Sequence, residues 1–163
     1  MIDNKVISLF ATPIYQSNVL LDKDKILSCL NTIEFRNISS KDGSISKNTR
    51  VLDLQNFEYF KKIILLHLRN FIYDKLKFHP QHSFYITNSW IMKHTYGDYA
   101  LEHFHTNSVF SGILYLQCDE KSGHLHLHRR NGFLTDLLTF DFTEQNSFNT
   151  QKATIIPEIG DIV

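Results

Sequence analysis

His103-Phe104-His105 is the first place in this sequence where residue type and spacing together suggest chemistry. On an extended backbone, residues i and i+2 face the same side, about 6–7 Å apart at their Cα atoms. Two imidazoles placed that way can converge on one metal ion and leave its other positions to later residues. The same spacing also arises on any exposed strand face, so the pair alone is a weak signal. A second set follows, in which His124, His126 and His128 alternate with Leu125 and Leu127. Three imidazoles on one face could bind a metal themselves, or one could lean toward His103 and His105. The competing reading is a polar, solvent-facing side of a strand whose leucines face a core. Together these are five of the nine histidines. His67, His79 and His82 read as surface or boundary residues. Arg129-Arg130-Asn131-Gly132 could meet a phosphate or an acidic substrate, although arginines in a turn are more often solvated. Neither Cys29 nor Cys118 has a sequence neighbour suited to nucleophilic or zinc chemistry. No P-loop, G-x-G-x-x-G, G-x-S-x-G or H-E-x-x-H motif is present.

The elements that must carry these residues change character near Pro80. Residues 5–20 read as extended, with Pro13 at a strand start or edge. Asp22 can cap a helix running to about Phe35, with Ile26, Leu27, Leu30 and Ile33 at helical spacing. Residues 36–48 read as a polar, mobile loop. Asn56 precedes the strongest helix, whose stripe is Phe57, Phe60, Ile64, Leu68, Phe71, Ile72 and Leu76. After Pro80 the period becomes two. In 83–93, Phe84, Ile86, Asn88, Trp90 and Met92 share one face, on which Asn88 and Trp90 could line a pocket floor, although Trp90 reads better as a large core anchor. A turn at Tyr96-Gly97-Asp98 leads to extended segments near 101–105, 109–118 and 124–129, the last two joined by a hairpin turn at Lys121-Ser122-Gly123. Further strands are expected at 136–142 and 153–156. Helices first and strands afterwards argue for an α+β fold with helices packed on an antiparallel sheet or barrel.

Taken in order, several of these pieces resemble a known family. Leu9-Phe10-Ala11-Thr12-Pro13-Ile14-Tyr15 is similar to an opening F-x-T-P-I/V-Y. Asn88-Ser89-Trp90, His103-Phe104-His105, Ser111-Gly112-Ile113-Leu114-Tyr115-Leu116 and Ser122-Gly123-His124-Leu125 follow the pattern N-x-W, H-x-H-P, S-G-V/I-x-Y-L, S-G-x-L. Ile156-Pro157-Glu158-Ile159-Gly160-Asp161-Ile162-Val163 resembles a closing P-x-x-G-D-L/I-V turn. The ordered set resembles a bacterial and phage branch of the 2-oxoglutarate/Fe(II)-dependent oxygenases. That resemblance implies N-terminal helices on an antiparallel double-stranded β-helix, or jelly-roll. It implies Fe(II) as cofactor and 2-oxoglutarate as cosubstrate. His103 takes the place of the first iron ligand, and His105 that of the carboxylate or of the second ligand. Tyr115 takes a position from which a phenol can hydrogen-bond the cosubstrate carboxylate; the alternative is a strand tyrosine with its ring in the core. Thr106 stands where the pattern has proline.

In this pattern the distal histidine and the basic residue that clamps 2-oxoglutarate follow the Gly160-Asp161 turn, and the sequence ends at Val163. The expectation is therefore an incomplete jelly-roll over 1–163. It would form a single domain with a strand-and-helix part (1–80) and a β-rich part (81–163), inactive or nearly so and self-associating through an uncovered sheet edge. A partner chain, or one of His124, His126 and His128, would complete the site if this is wrong. The rival functions are a non-catalytic jelly-roll binding or assembly module and a cupin-like metal protein using His124, His126 and His128. Seventeen basic residues balance seventeen acidic ones, which argues against nucleic acid as partner. Small-molecule, peptide and nucleotide substrates stay open. The absence of a membrane-spanning run, of a signal-peptide pattern and of a disulfide framework points to the cytoplasm.

Overall fold

Asp22 opens the first helix because its carboxylate accepts from the otherwise orphaned amides of Asp24 (3.0 Å) and Lys25 (3.2 Å). Helix α1, Lys23–Leu30, buries Ile26 and Cys29 and leaves Leu27 exposed. It stops well short of Phe35. Phe35–Asn37 forms β2, which pairs antiparallel with β3, Ser44–Ser46. Gly43 turns this hairpin at φ +71°, and a Cβ there would lie 2.5 Å from the Lys93 carbonyl oxygen. The polar segment 36–48 is thus a hairpin rather than a mobile loop. Alternating serines and Ile45 had masked it, because they give no run of apolar residues.

The computed structural model describes residues 5–9, 11–39, 41–129, 143, 144 and 146–163. The chain divides into two compact units, Met1–Ile14 with Gly123–Pro157, and Tyr15–Ser122 with Glu158–Val163. The expected strand at 136–142 lies outside the described residues.

In the second unit, single 3-10 turns at Val51–Asp53 and Gln55–Phe57 lead into α2, Glu58–Arg69, which continues as a wider π turn over Asn70–Lys75. The apolar stripe lies where expected: Phe57, Phe60 and Ile72 are buried and Ile64, Leu68, Phe71 and Leu76 half-buried. Phe57 and Phe60 pack with Leu21, Ile26, Cys29, Val51 and Leu52 into the core. The three-stranded sheet β2-β3-β4 is completed by Met92–Lys93.

Strand pairing departs from expectation around residue 120. The turn itself forms, with the Ser122 amide donating to the Asp119 carbonyl (3.0 Å), but its flanks pair elsewhere. In the first unit, β5, Leu125–His128, pairs antiparallel with β6, Lys152–Ile155. In the second unit, residues 113–115 bond to the C-terminal residues through Ile113–Val163 and Tyr115–Asp161. Strand β7, Asp161–Ile162, also pairs with β1, Ser17–Asn18. The turn before β7 needs Gly160, which sits at φ +90° with the Val19 carbonyl where a Cβ would go. Asp161 is buried, and its carboxylate accepts from the Asn18 side-chain Nδ2 (2.8 Å) and the Glu158 backbone N–H (2.9 Å). The molecule is therefore α+β, with its sheets antiparallel. Among the described residues no helix is long and apolar enough to cross a membrane.

Candidate metal centre

The position of Trp90 is decided by its neighbours. The Ser89 carbonyl accepts from the Val51 amide (3.0 Å), its hydroxyl from the Leu52 amide (3.0 Å), and its own amide donates to Thr49 (2.8 Å). Ile91 is held as firmly, exchanging bonds with the backbone amide (2.9 Å) and hydroxyl (3.1 Å) of Ser46, which is itself buried. Half-burial therefore falls on Phe84 and Ile86 and then on Ser89 and Ile91. The period-two pattern reverses phase at Asn88, and one such step moves every following side chain to the other face. Trp90 is consequently a surface residue, 38% exposed, and not a core anchor. Asn88 is exposed as well.

The indole lies against His105, with ring centroids 5.5 Å apart at 53°. His105 in turn meets His103 edge-to-face, at 5.1 Å and 90°. Both imidazoles are exposed. His103 Nδ1 lies 2.7 Å from the Leu101 carbonyl oxygen. A carbonyl can only accept, so Nδ1 carries the proton, and in the neutral ring Nε2 keeps its lone pair. A backbone carbonyl on the second ring nitrogen is the arrangement that orients metal-ligating histidines. The ladder Trp90–His105–His103 thus presents two neighbouring imidazoles, one with its tautomer set.

Tyr115 is half-buried, its backbone locked between the Asp161 carbonyl and the Gly160 amide. Burial chiefly, then the negative charge available at Cys118 and Asp161, pushes its phenol up, so it stays protonated through the neutral range. Among the described residues no hydrogen bond or ring contact joins Tyr115 to His103 or His105.

The remaining histidine set begins just before β5 and runs along it. His124, His126 and His128 are exposed while Leu125 and Leu127 are half-buried, the alternation of a polar face opposite an apolar one. His126 Nδ1 lies 3.1 Å from the Thr154 hydroxyl, and burial, Lys152 and the flanking histidines lower its pKa. Arg129 donates to the Phe148 carbonyl (3.1 Å); Arg130-Asn131-Gly132 lies outside the described residues. Among the described residues no group of three or more His, Cys, Asp or Glu is gathered to hold a metal ion, so the imidazoles of His124, His126 and His128 do not converge as a trio in the way the cupin-like reading required.

Residues 88–163 match a family model described as "Putative 2OG-Fe(II) oxygenase". The matched stretch includes Trp90, His103, His105, Tyr115 and the Gly160-Asp161 turn. No curated protein and no solved structure matches the chain.

Proposed function

We propose that the region 88–163 is the jelly-roll portion of an oxygenase that uses Fe(II) and 2-oxoglutarate to oxidise or hydroxylate a substrate, with His103 and His105 as two of the iron ligands. The observation that carries this reading is the 5.1 Å imidazole pair, with His103 oriented by the Leu101 carbonyl, inside the stretch matched by the family model. The donor set suits the ion, since neutral imidazole binds Fe(II) readily. It supplies two positions, and among the described residues no third His, Cys, Asp or Glu is gathered with them.

Iron, when bound, supplies the oxygen chemistry; the chain supplies position and surroundings. Leu101 fixes the His103 tautomer. Trp90 lies tilted against the His105 ring, which limits the ring's rotation. Tyr115, protonated at neutral pH, is assigned as a hydrogen-bond donor to the cosubstrate carboxylate.

Anaerobic Fe(II) titration of the full chain tests the ligand assignment, and succinate formation from 2-oxoglutarate tests the reaction. We expect His103→Ala and His105→Ala each to weaken iron binding by about tenfold or more, and Trp90→Ala by less. A folded chain whose Fe(II) affinity ignores both histidine substitutions would replace this reading with the non-catalytic module.

A further inference from the structure

We infer that His124, just before β5, and His126 on it form a separate surface site for a late first-row divalent ion such as Zn²⁺. These residues lie in the unit formed by Met1–Ile14 and Gly123–Pro157. His126 is held within the antiparallel ladder with β6, through the register Leu125–Ile155, His126–Thr154, Leu127–Ala153 and His128–Lys152. His126 is thus fixed by backbone hydrogen bonds before any ion arrives, which lowers the ordering cost of binding, while His124 immediately precedes the ladder.

Both rings are on the exposed face, and their centroids are 6.3 Å apart at 72°. Exposed imidazoles change rotamer readily, so this gap can close on an ion held about 2.0–2.1 Å from one nitrogen of each ring. His126 Nδ1 is engaged by the Thr154 hydroxyl, which leaves Nε2 as its coordinating atom. Two waters complete a four-coordinate shell. The chemistry of the face selects the ion. The residues opposite His126 and His128 are Thr154 and Lys152, with no carboxylate between them, so hard ions that demand oxygen ligands find no partner. The ring-to-ring approach is between His124 and His126, which places the site at that end; Lys152, directly across from His128, opposes a cation there most and also acts on His126.

The test uses the full chain carrying His103→Ala and His105→Ala, so that its outcome is independent of the proposed iron ligands. Zn²⁺ is titrated by calorimetry, with Mg²⁺ as the counter-probe, and imidazole ¹H–¹⁵N resonances report which rings respond. We expect one Zn²⁺ per chain, no Mg²⁺ binding, and shifts at His124 and His126. His124→Ala or His126→Ala should weaken Zn²⁺ binding about tenfold or more, and His128→Ala less than about threefold. Circular dichroism checks that each variant folds, and glutamine replaces alanine wherever it does not. Absence of saturable Zn²⁺ binding, equal binding of Mg²⁺, a loss at His128→Ala as large as at the other two, or retention of binding by the His124→Ala/His126→Ala double variant would overturn the assignment.

Discussion

At the scale of single residues, the titrating groups beside the C-terminal turn make a prediction about alkaline pH. Tyr115 is raised by burial and then by Cys118 and Asp161, and Cys118 by burial and then by Asp161, Asp119 and Glu158. Cys29, whose thiol donates to the Asn56 carbonyl (2.8 Å), is raised by burial too. A group whose folded-state value is raised holds its proton more tightly in the native than in the unfolded chain. The stability it contributes is present at low pH and is lost as pH rises through the ordinary thiol and phenol range, about 8.5–10, toward the folded values. The urea midpoint should therefore fall between pH 7.5 and 10.5, and Tyr115→Phe should shrink that fall. A midpoint that holds steady or rises would refute the burial argument. The candidate ligands themselves were legible at this scale, because i and i+2 spacing is a local property. The tautomer of His103 was not, since it depends on where the Leu101 carbonyl points.

At the scale of elements, the turn into β7 carries the sharpest steric demand. Gly160 has φ +90°, and a Cβ would be driven into the Val19 carbonyl. The Val19 amide meanwhile donates to the Gly160 carbonyl (3.0 Å), so neither strand can shift without breaking the β1–β7 pairing. Gly160→Ala adds left-handed strain of about 1–2 kcal/mol to that clash, and the loss in chemical denaturation should exceed the strain alone. Gly97, also at positive φ (+89°) but with nothing near its missing Cβ, is the control: Gly97→Ala should cost about the strain only. Equal losses for the two variants would show that the close approach to Val19 is not what matters. The Gly-Asp pair was visible in the sequence as a turn. Its role in joining residues 17–19 to the chain's last residues was not, because pairing across some 140 positions leaves no local trace.

At the scale of the whole molecule, protection is expected to be uneven. Cys29, Phe60 and Ile72 are nearly inaccessible, whereas 101–107 is exposed throughout and has no strand pairing among the described residues. Native-state hydrogen exchange should be slowest around those three and fast across 101–107. Added Fe(II) should slow 101–107 selectively if His103 and His105 hold the ion, and uniform exchange in all three regions would contradict the packing. The sequence by itself determined what nearest neighbours decide. The Asp22 cap, the stripe of α2 from Phe57 to Leu76, the His103–His105 spacing and the histidine–leucine alternation of β5 all follow from backbone period and side-chain polarity within a few residues. Tertiary structure alone decided which strands pair and where a pattern changes phase. Phe35–Asn37 leaves the helical pattern because Ser44–Ser46 offers it a partner, and Lys121-Ser122-Gly123 turns the chain without pairing its own flanks. Trp90 faces His105 because Ser46, Thr49, Val51 and Leu52 anchor Ser89 and Ile91 inward. Those bonds span some 40 residues, and no alternation of apolar and polar letters in 83–93 encodes them.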